Sequence, residues 1–116
     1  MGYRLPDTKA RAQKLNAALA QFVALLPHTN VQKVILFGSH ARQSIHSRSD
    51  IDLIVIRPTS EPFVRRADDL IQLMPPGTPV DILVYTPEEW VQLSKSRDFH
   101  RTAQREGKVI YDVQSR

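Results

Sequence analysis

The sequence of 116 residues contains no cysteine. This absence excludes a disulfide framework and a thiolate zinc site, so any bound metal would have oxygen or imidazole ligands. Oxygen ligands favour hard ions such as Mg²⁺. The four histidines show no pairing at metal-ligand spacing, and we expect them to be surface residues.

Long apolar runs, internal repeats and low-complexity segments are also missing. No run approaches the ~20 residues that cross a bilayer, and the first residues lead into no apolar secretory core, so we expect a cytoplasmic protein. Hydrophobic residues make up 41% and charged residues 24% of the chain, a balance typical of globular proteins. The length predicts a single domain over residues 1–116. The net charge of +4 suits a phosphate-rich ligand, an acidic protein surface or RNA, without selecting among them.

The apolar patterns predict a small mixed β-sheet covered by helices, in an α/β (α+β) fold. Leu15, Leu19, Phe22 and Leu26 recur at helical spacing and line one face of a first helix. Apolar runs bounded by turn residues predict four strands at 31–37, 51–56, 80–85 and 108–112. Further helices are predicted over 63–74, after a capping box at Thr86, and as a short turn at 99–106.

Three aspartates fall on or beside two of the predicted strands. Asp50 and Asp52 are two residues apart, so their side chains leave the same face of a strand, and Asp81 lies in a later strand. If the strands are neighbours, the three carboxylates converge and would repel one another unless a divalent cation neutralised them. The alternative is that Asp50 caps a loop, Asp52 faces water and Asp81 pairs with an arginine.

Gly38 and Ser39 directly follow the first predicted strand. Glycine at this position lets backbone N–H groups approach a ligand closely, and a helix beginning near Ser39 would favour a phosphate at its N-terminus. Turns use both residues so often that the pair by itself is also compatible with a purely structural role.

Gly38-Ser39, ten intervening residues and Asp50-Ile51-Asp52 form the string GSHARQSIHSRSDID. This string resembles the defining motif of the polymerase-β-like nucleotidyltransferase superfamily, and Ser49 matches the usual Ser-Asp-x-Asp wording. Asp81 is similar to the third carboxylate of that superfamily. The overall length and the closing REGKVIYD are similar to its minimal nucleotidyltransferase (MNT) subgroup.

The resemblance implies a polymerase-β-like fold and a role for each matching residue. Asp50 and Asp52 would hold two Mg²⁺ ions that bridge the triphosphate of ATP. Asp81 would bind the catalytic metal and take the proton of the acceptor hydroxyl. Gly38 and Ser39 would hold the β- and γ-phosphates, and Arg42 and Ser49 would add nucleotide contacts.

Many MNT proteins act as antitoxins beside a helical HEPN ribonuclease toxin, and their family chemistry is AMP transfer from ATP to a tyrosine of that toxin. The resemblance therefore implies a protein adenylyltransferase with a HEPN partner. Two alternatives stay open: a non-catalytic module that neutralises its partner by binding, and nucleotidylation of a small molecule, which would need a homodimer to complete the pocket. Direct nucleic-acid binding is the least favoured.

Overall fold

The computed structural model describes residues 8–37 and 51–115, which form one sheet with helices packed on it. Short 3-10 turns lie at Leu26–His28, Phe63–Arg65 and Val113–Ser115. The helices and strands are α1 (Thr8–Leu25), β1 (Lys33–Phe37), β2 (Ile51–Ile56), α2 (Asp68–Ile71), β3 (Val80–Tyr85), α3 (Pro87–Ser94), α4 (Arg97–Glu106) and β4 (Gly107–Asp112).

Within the described residues, the sheet has four strands in the order β3-β2-β1-β4. β1 is antiparallel to both β2 and β4, whereas β2 and β3 run parallel. A parallel pair needs a crossover connection, and the segment containing α2 supplies it. The predicted small mixed sheet covered by helices is confirmed, and the two adjacent parallel strands are the ones that carry Asp52 and Asp81.

One face of the sheet packs against α1 and forms the larger core. Alternate residues of β2, namely Ile51, Leu53 and Val55, are buried there together with Phe22 and Leu26. Burying each such side chain contributes about 1.5–3 kcal/mol, so this face supplies much of the hydrophobic stabilisation. The predicted first helix is confirmed.

The opposite face holds a smaller apolar cluster. Ile35, Phe37, Ile54 and Ile56 are buried, and the rings of Tyr85 and Trp90 pack against them. Because side chains alternate along a strand, Asp52 shares this face with Ile54 and Ile56. The smaller cluster is therefore the one that adjoins the predicted acidic site.

The continuous helix predicted over 63–74 is wrong. The chain forms a 3-10 turn at Phe63–Arg65 and then only the four-residue helix α2. Between them, the Arg66 guanidinium binds the Glu89 carboxylate and donates hydrogen bonds to the carbonyl oxygens of Glu61 and Val84. These tertiary bonds hold the segment against the end of β3, and they override the local helical pattern.

The last two helices differ in how well the sequence predicts them. The capping box of α3 is confirmed, since the Thr86 hydroxyl accepts from the Glu89 amide while the Glu89 carboxylate accepts from the Thr86 amide. The short turn predicted at 99–106 is a ten-residue helix, α4. In residues 8–37 and 51–115, no helix combines the length and apolarity needed to span a membrane.

Candidate functional site

Asp52 and Asp81 are direct partners across the parallel pair of β2 and β3. Residues in register on neighbouring strands direct their side chains to the same face, and adjacent strands lie about 4.8 Å apart. Asp52 is 7% exposed, and Asp81 is exposed on the outermost strand. The structure thus brings together the two predicted site aspartates that it describes.

These aspartates belong to a row of residues that crosses the whole sheet. Phe37 of β1 is the partner of Asp52 on one side and of Gly107 in β4 on the other, so the row runs Gly107, Phe37, Asp52, Asp81. Phe37 is buried, and its neighbouring position helps to bury Asp52. β1 ends at this row with Phe37, and β2 begins beside it with Ile51.

The segment that connects these two strands contains the remaining predicted site residues. Gly38, Ser39, Arg42, Ser49 and Asp50 all lie within 38–50, outside the described residues. Their assignment to the nucleotide and to the metal stays a prediction. Because the segment leaves from Phe37 and returns at Ile51, both of its attachment points lie at the Asp52 end of the sheet.

The chemistry of the two carboxylates suits a hard divalent cation. Asp81 forms no ion pair with any residue in the described ranges, and the arginines of the segment 38–50 lie outside those ranges. Two carboxylates held on adjacent strands repel each other when ionised, and oxygen ligands of this kind are those that Mg²⁺ prefers. The described ranges contain no group of three metal-ligating side chains, and Asp50 would have to supply the third carboxylate.

A cleft of about 640 Å³ lies on the same sheet face as the two aspartates. Its floor consists of Phe37 and Ile54 from the smaller core cluster together with Leu83 and Tyr85 of β3. Its wall is polar and comes from the α4 region: Ser96, Asp98, Thr102 and Glu106. Volumes of this size accommodate small organic groups or a protruding side chain of a partner.

The sequence prediction missed this wall. It placed only a short helical turn at 99–106, so Ser96 and Asp98 were not assigned to any site. The signal that could have identified the wall is the spacing of Asp98, Thr102 and Glu106, which recur every four residues and therefore share one helical face.

The opposite end of β2 and β3 carries acids of a different kind. Arg57, which follows β2, binds the Asp69 carboxylate through both terminal nitrogens at 2.8 and 3.0 Å. This hydrogen bonding lowers the pKa of Asp69. Arg66 binds Glu89 in the same forked manner at 2.6 and 3.2 Å, and it lowers the pKa of Glu89 with help from the Thr86 amide. Both acids are therefore members of ion pairs within the fold.

Aromatic rings pack against one another at the carboxyl end of β2 and β3. The rings of Phe63 and Tyr85 lie 5.6 Å apart, and those of Tyr85 and Trp90 lie 6.3 Å apart. The Arg66 guanidinium lies 5.5 Å from the centre of the Phe63 ring, within the range of a cation–π contact. Trp90 is therefore a packing residue of the α3 end of the sheet rather than part of the acidic site.

Comparison with known proteins identifies the family of the chain. The family model described as Polymerase beta, Nucleotidyltransferase matches residues 21–116. A protein of Methanocaldococcus jannaschii, named as a candidate protein adenylyltransferase, is 30% identical over 97 residues, which are 81% of this chain and 95% of that protein.

Among solved structures, a candidate nucleotidyltransferase of Sulfolobus solfataricus superposes with a TM-score of 0.54 at 17% identity and covers 98% of this chain and 94% of that one. At this identity the likeness describes the fold alone. A chain of a mutant MntA-HpeT toxin–antitoxin complex superposes with a TM-score of 0.45 at 22% identity, over 87% of this chain and 74% of that one. From the match over residues 21–116 and the Methanocaldococcus relative, the chain belongs to the polymerase-β nucleotidyltransferase family.

Proposed function

We propose that this nucleotidyltransferase is a Mg²⁺-dependent protein adenylyltransferase that moves AMP from ATP to a hydroxyl of a partner protein. The in-register placement of Asp52 and Asp81 on neighbouring strands is the observation that carries the proposal. The name of the Methanocaldococcus relative supports a protein as the acceptor. The resemblance to MNT antitoxins supports the finer assignment, in which the acceptor is a tyrosine of a HEPN ribonuclease toxin and the transfer neutralises that toxin.

Asp50, Asp52 and Asp81 would hold the metal, and the loop residues would hold the nucleotide. When bound, Mg²⁺ neutralises phosphate charge and polarises the α-phosphate. Gly38, Ser39 and Arg42 would bind the outer phosphates, and Ser49 would add a further contact to the nucleotide. These contacts keep the triphosphate in line for attack, which is the main requirement of such transfers.

We assign Asp81 as the residue that accepts the proton of the acceptor hydroxyl. Its exposed position on the outermost strand leaves its carboxylate accessible to an incoming hydroxyl. The acceptor oxygen forms a bond to the α-phosphorus, and the bond from that phosphorus to the oxygen bridging to the β-phosphorus breaks. Pyrophosphate leaves with the bonding electron pair, and the hydroxyl proton passes to the Asp81 carboxylate.

The test is transfer of label from α-labelled ATP to the purified HEPN partner in the presence of Mg²⁺. The wild-type chain is expected to label the partner, and Asp52→Asn is expected to reduce the initial rate at least ~100-fold. Asp68→Asn is the matched control, since Asp68 is an exposed acid of α2 at the far end of the strands, and it should label at the wild-type rate.

Neutralisation of the partner's ribonuclease separates this proposal from a purely binding module. If Asp52→Asn still protects RNA from the partner as well as the wild-type chain does, binding rather than transfer is the function. If label reaches a small molecule and no protein, the chemistry holds but the proposed acceptor is wrong. Absence of any transfer from the wild-type chain contradicts the proposal as a whole.

A further inference from the structure

Three arginines form a ridge along the exposed side of α4. Arg97, Arg101 and Arg105, which we call the arginine ridge, recur every four residues and are all exposed, with the Arg105 side chain 68% accessible. Residues at this spacing lie one above another on a helix, about 6 Å apart. The ridge therefore presents three guanidinium groups in a line about 12 Å long.

The ridge concentrates the basic excess of the protein. Residues 95–108 contain five Lys or Arg and two Asp or Glu, a net charge of +3 against +4 for the whole chain. The ion pair found there between described residues joins Arg105 to its neighbour Glu106 at 3.9 Å. Like charges at this spacing destabilise a helix by about 0.2–0.5 kcal/mol per pair, and Arg97 in the first turn also opposes the helix dipole. Folding alone does not favour this arrangement.

The ridge lies on the same helix as the polar wall of the cleft. Each arginine precedes or follows a cleft-wall residue by one position, since Asp98, Thr102 and Glu106 form the wall. Ridge and wall are therefore adjacent stripes of the same helix, about 100° apart around its axis. A molecule bound on the ridge would therefore lie next to the cleft, whose floor is on the sheet face that carries Asp52 and Asp81.

We infer that the arginine ridge docks an acidic surface of the acceptor protein and thereby delivers the acceptor hydroxyl to the cleft. This inference rests on the proposed function, which makes the acceptor a protein. Arginine binds carboxylates through two parallel hydrogen bonds, and acids spaced every four residues on a partner helix match the ridge spacing. Such complementarity acts mainly by steering association and fixing the orientation of the partner.

The size of the ridge favours a protein over RNA as the occupant. Three arginines can neutralise about three phosphates, which gives a slope of only about −2 for log affinity against log salt on a single strand. Proteins with strongly salt-dependent nucleic-acid binding make about 6–10 phosphate contacts, roughly twice to three times as many. In protein interfaces, by contrast, a few residues carry most of the binding energy, and arginine is one of the three residue types enriched among them.

The test measures binding separately from transfer. The ridge variant Arg97→Glu/Arg101→Glu/Arg105→Glu is compared with Lys14→Glu/Arg65→Glu/Lys108→Glu, which changes the net charge equally at exposed positions outside α4. Association with the HEPN partner is followed at low and high salt, and ATP binding is measured in parallel. The ridge variant is expected to associate about 10- to 100-fold more slowly at low salt, with unchanged ATP binding, whereas the control variant changes far less.

Circular dichroism checks the fold, and Arg97→Gln/Arg101→Gln/Arg105→Gln provides a milder version of the same change. Equal association rates of the ridge and control variants would overturn the inference. So would loss of binding to a short single-stranded RNA in the ridge variant while partner association stays at the wild-type rate, since the occupant would then be RNA.

A probe independent of the partner keeps this inference distinguishable from the proposed function. A short alanine-rich helical peptide with glutamate at every fourth position is titrated into the wild-type chain, and backbone amide shifts are recorded. Shifts concentrated in α4, absent from the ridge variant and present in the control variant, support the inference even where no transfer is detected. Shifts spread evenly over the basic residues overturn it, even where transfer to the partner is intact.

Discussion

The two ends of the parallel pair β2 and β3 place acidic residues in contrasting surroundings. Just beyond the carboxyl ends of these strands, Asp69 and Glu89 are each held by a forked arginine. At their amino ends, Asp52 and Asp81 lie side by side, and Asp81 forms no ion pair with a described residue. The contrast separates acids that described arginines neutralise from the acids that we propose as ligands of the metal.

Asp81→Asn is expected to have the largest effect, and it tests the contrast by separating the rate of transfer from stability. Loss of a group that accepts the hydroxyl proton should lower the rate of label transfer about 10²- to 10⁴-fold. The free energy of unfolding should stay constant or rise, because one of two mutually repelling carboxylates is removed. Kinetic assays and urea unfolding of the same preparation test both. A large loss of stability would indicate a structural role and break the comparison.

At the other end, Arg66→Met should give the opposite pattern. The Arg66 side chain is 12% exposed, and its removal leaves the carbonyl oxygens of Glu61 and Val84 without their donor. We expect the melting temperature to fall by roughly 5 to 15 °C, which thermal unfolding measures directly. Arg65→Met is the matched control, an adjacent exposed arginine with little expected effect. Equal losses in both variants would contradict the assignment.

A smaller effect is expected from Thr86→Ala, which removes the side-chain cap of α3. The Thr86 hydroxyl accepts from the Glu89 amide at 3.1 Å, and loss of such a cap costs about 1 kcal/mol. Urea unfolding should show this loss, whereas Thr102→Ala, at an exposed position of α4, should be close to neutral. Transfer activity should be retained in Thr86→Ala if the α3 end is purely structural.

The smallest expected effect is a change in stability at acid pH. The pKa values of Asp69 and Glu89 are lowered in the folded state by Arg57 and Arg66, from usual values of 3.8 and 4.5. Their contribution to stability is therefore complete above the unfolded-state values and is lost as the pH falls through the lowered ones. Arg57→Gln/Arg66→Gln should be less stable than the wild-type chain at pH 7, and the difference should shrink toward pH 3. A constant difference would show that the arginines act by packing alone.

Sequence patterns predicted the strands better than the segments between them. The apolar runs at Ile51–Ile56 and Val80–Tyr85 have the predicted bounds because both strands contribute buried residues to the cores. The sequence does not predict that these two strands pair, because no residue pattern within either strand specifies a parallel neighbour. The segment after Pro62 looked helical by spacing, and it is broken because Arg66 bonds to groups distant in sequence.

The candidate site was predictable in part. Asp52 and Asp81 could be singled out because a charged residue inside an apolar strand contradicts the local pattern. The polar wall of the cleft gave no such contradiction, because Asp98, Thr102 and Glu106 are ordinary residues for an exposed helix. The predicted loop residues from Gly38 to Asp50 rest on the motif, and their roles stay predictions.

β3 is the terminal strand of the sheet, so Asp81 stands at the rim and not in the middle of the surface. For an enzyme that modifies another folded protein, this location decides how the two molecules can meet. Under the proposed function, a hydroxyl on a convex helix can approach sideways, past the lateral boundary of the sheet, and the nucleotide would arrive from the side of the segment that joins β1 to β2. Substrate and co-substrate would then use separate routes, and the acceptor would need no local unfolding to be modified.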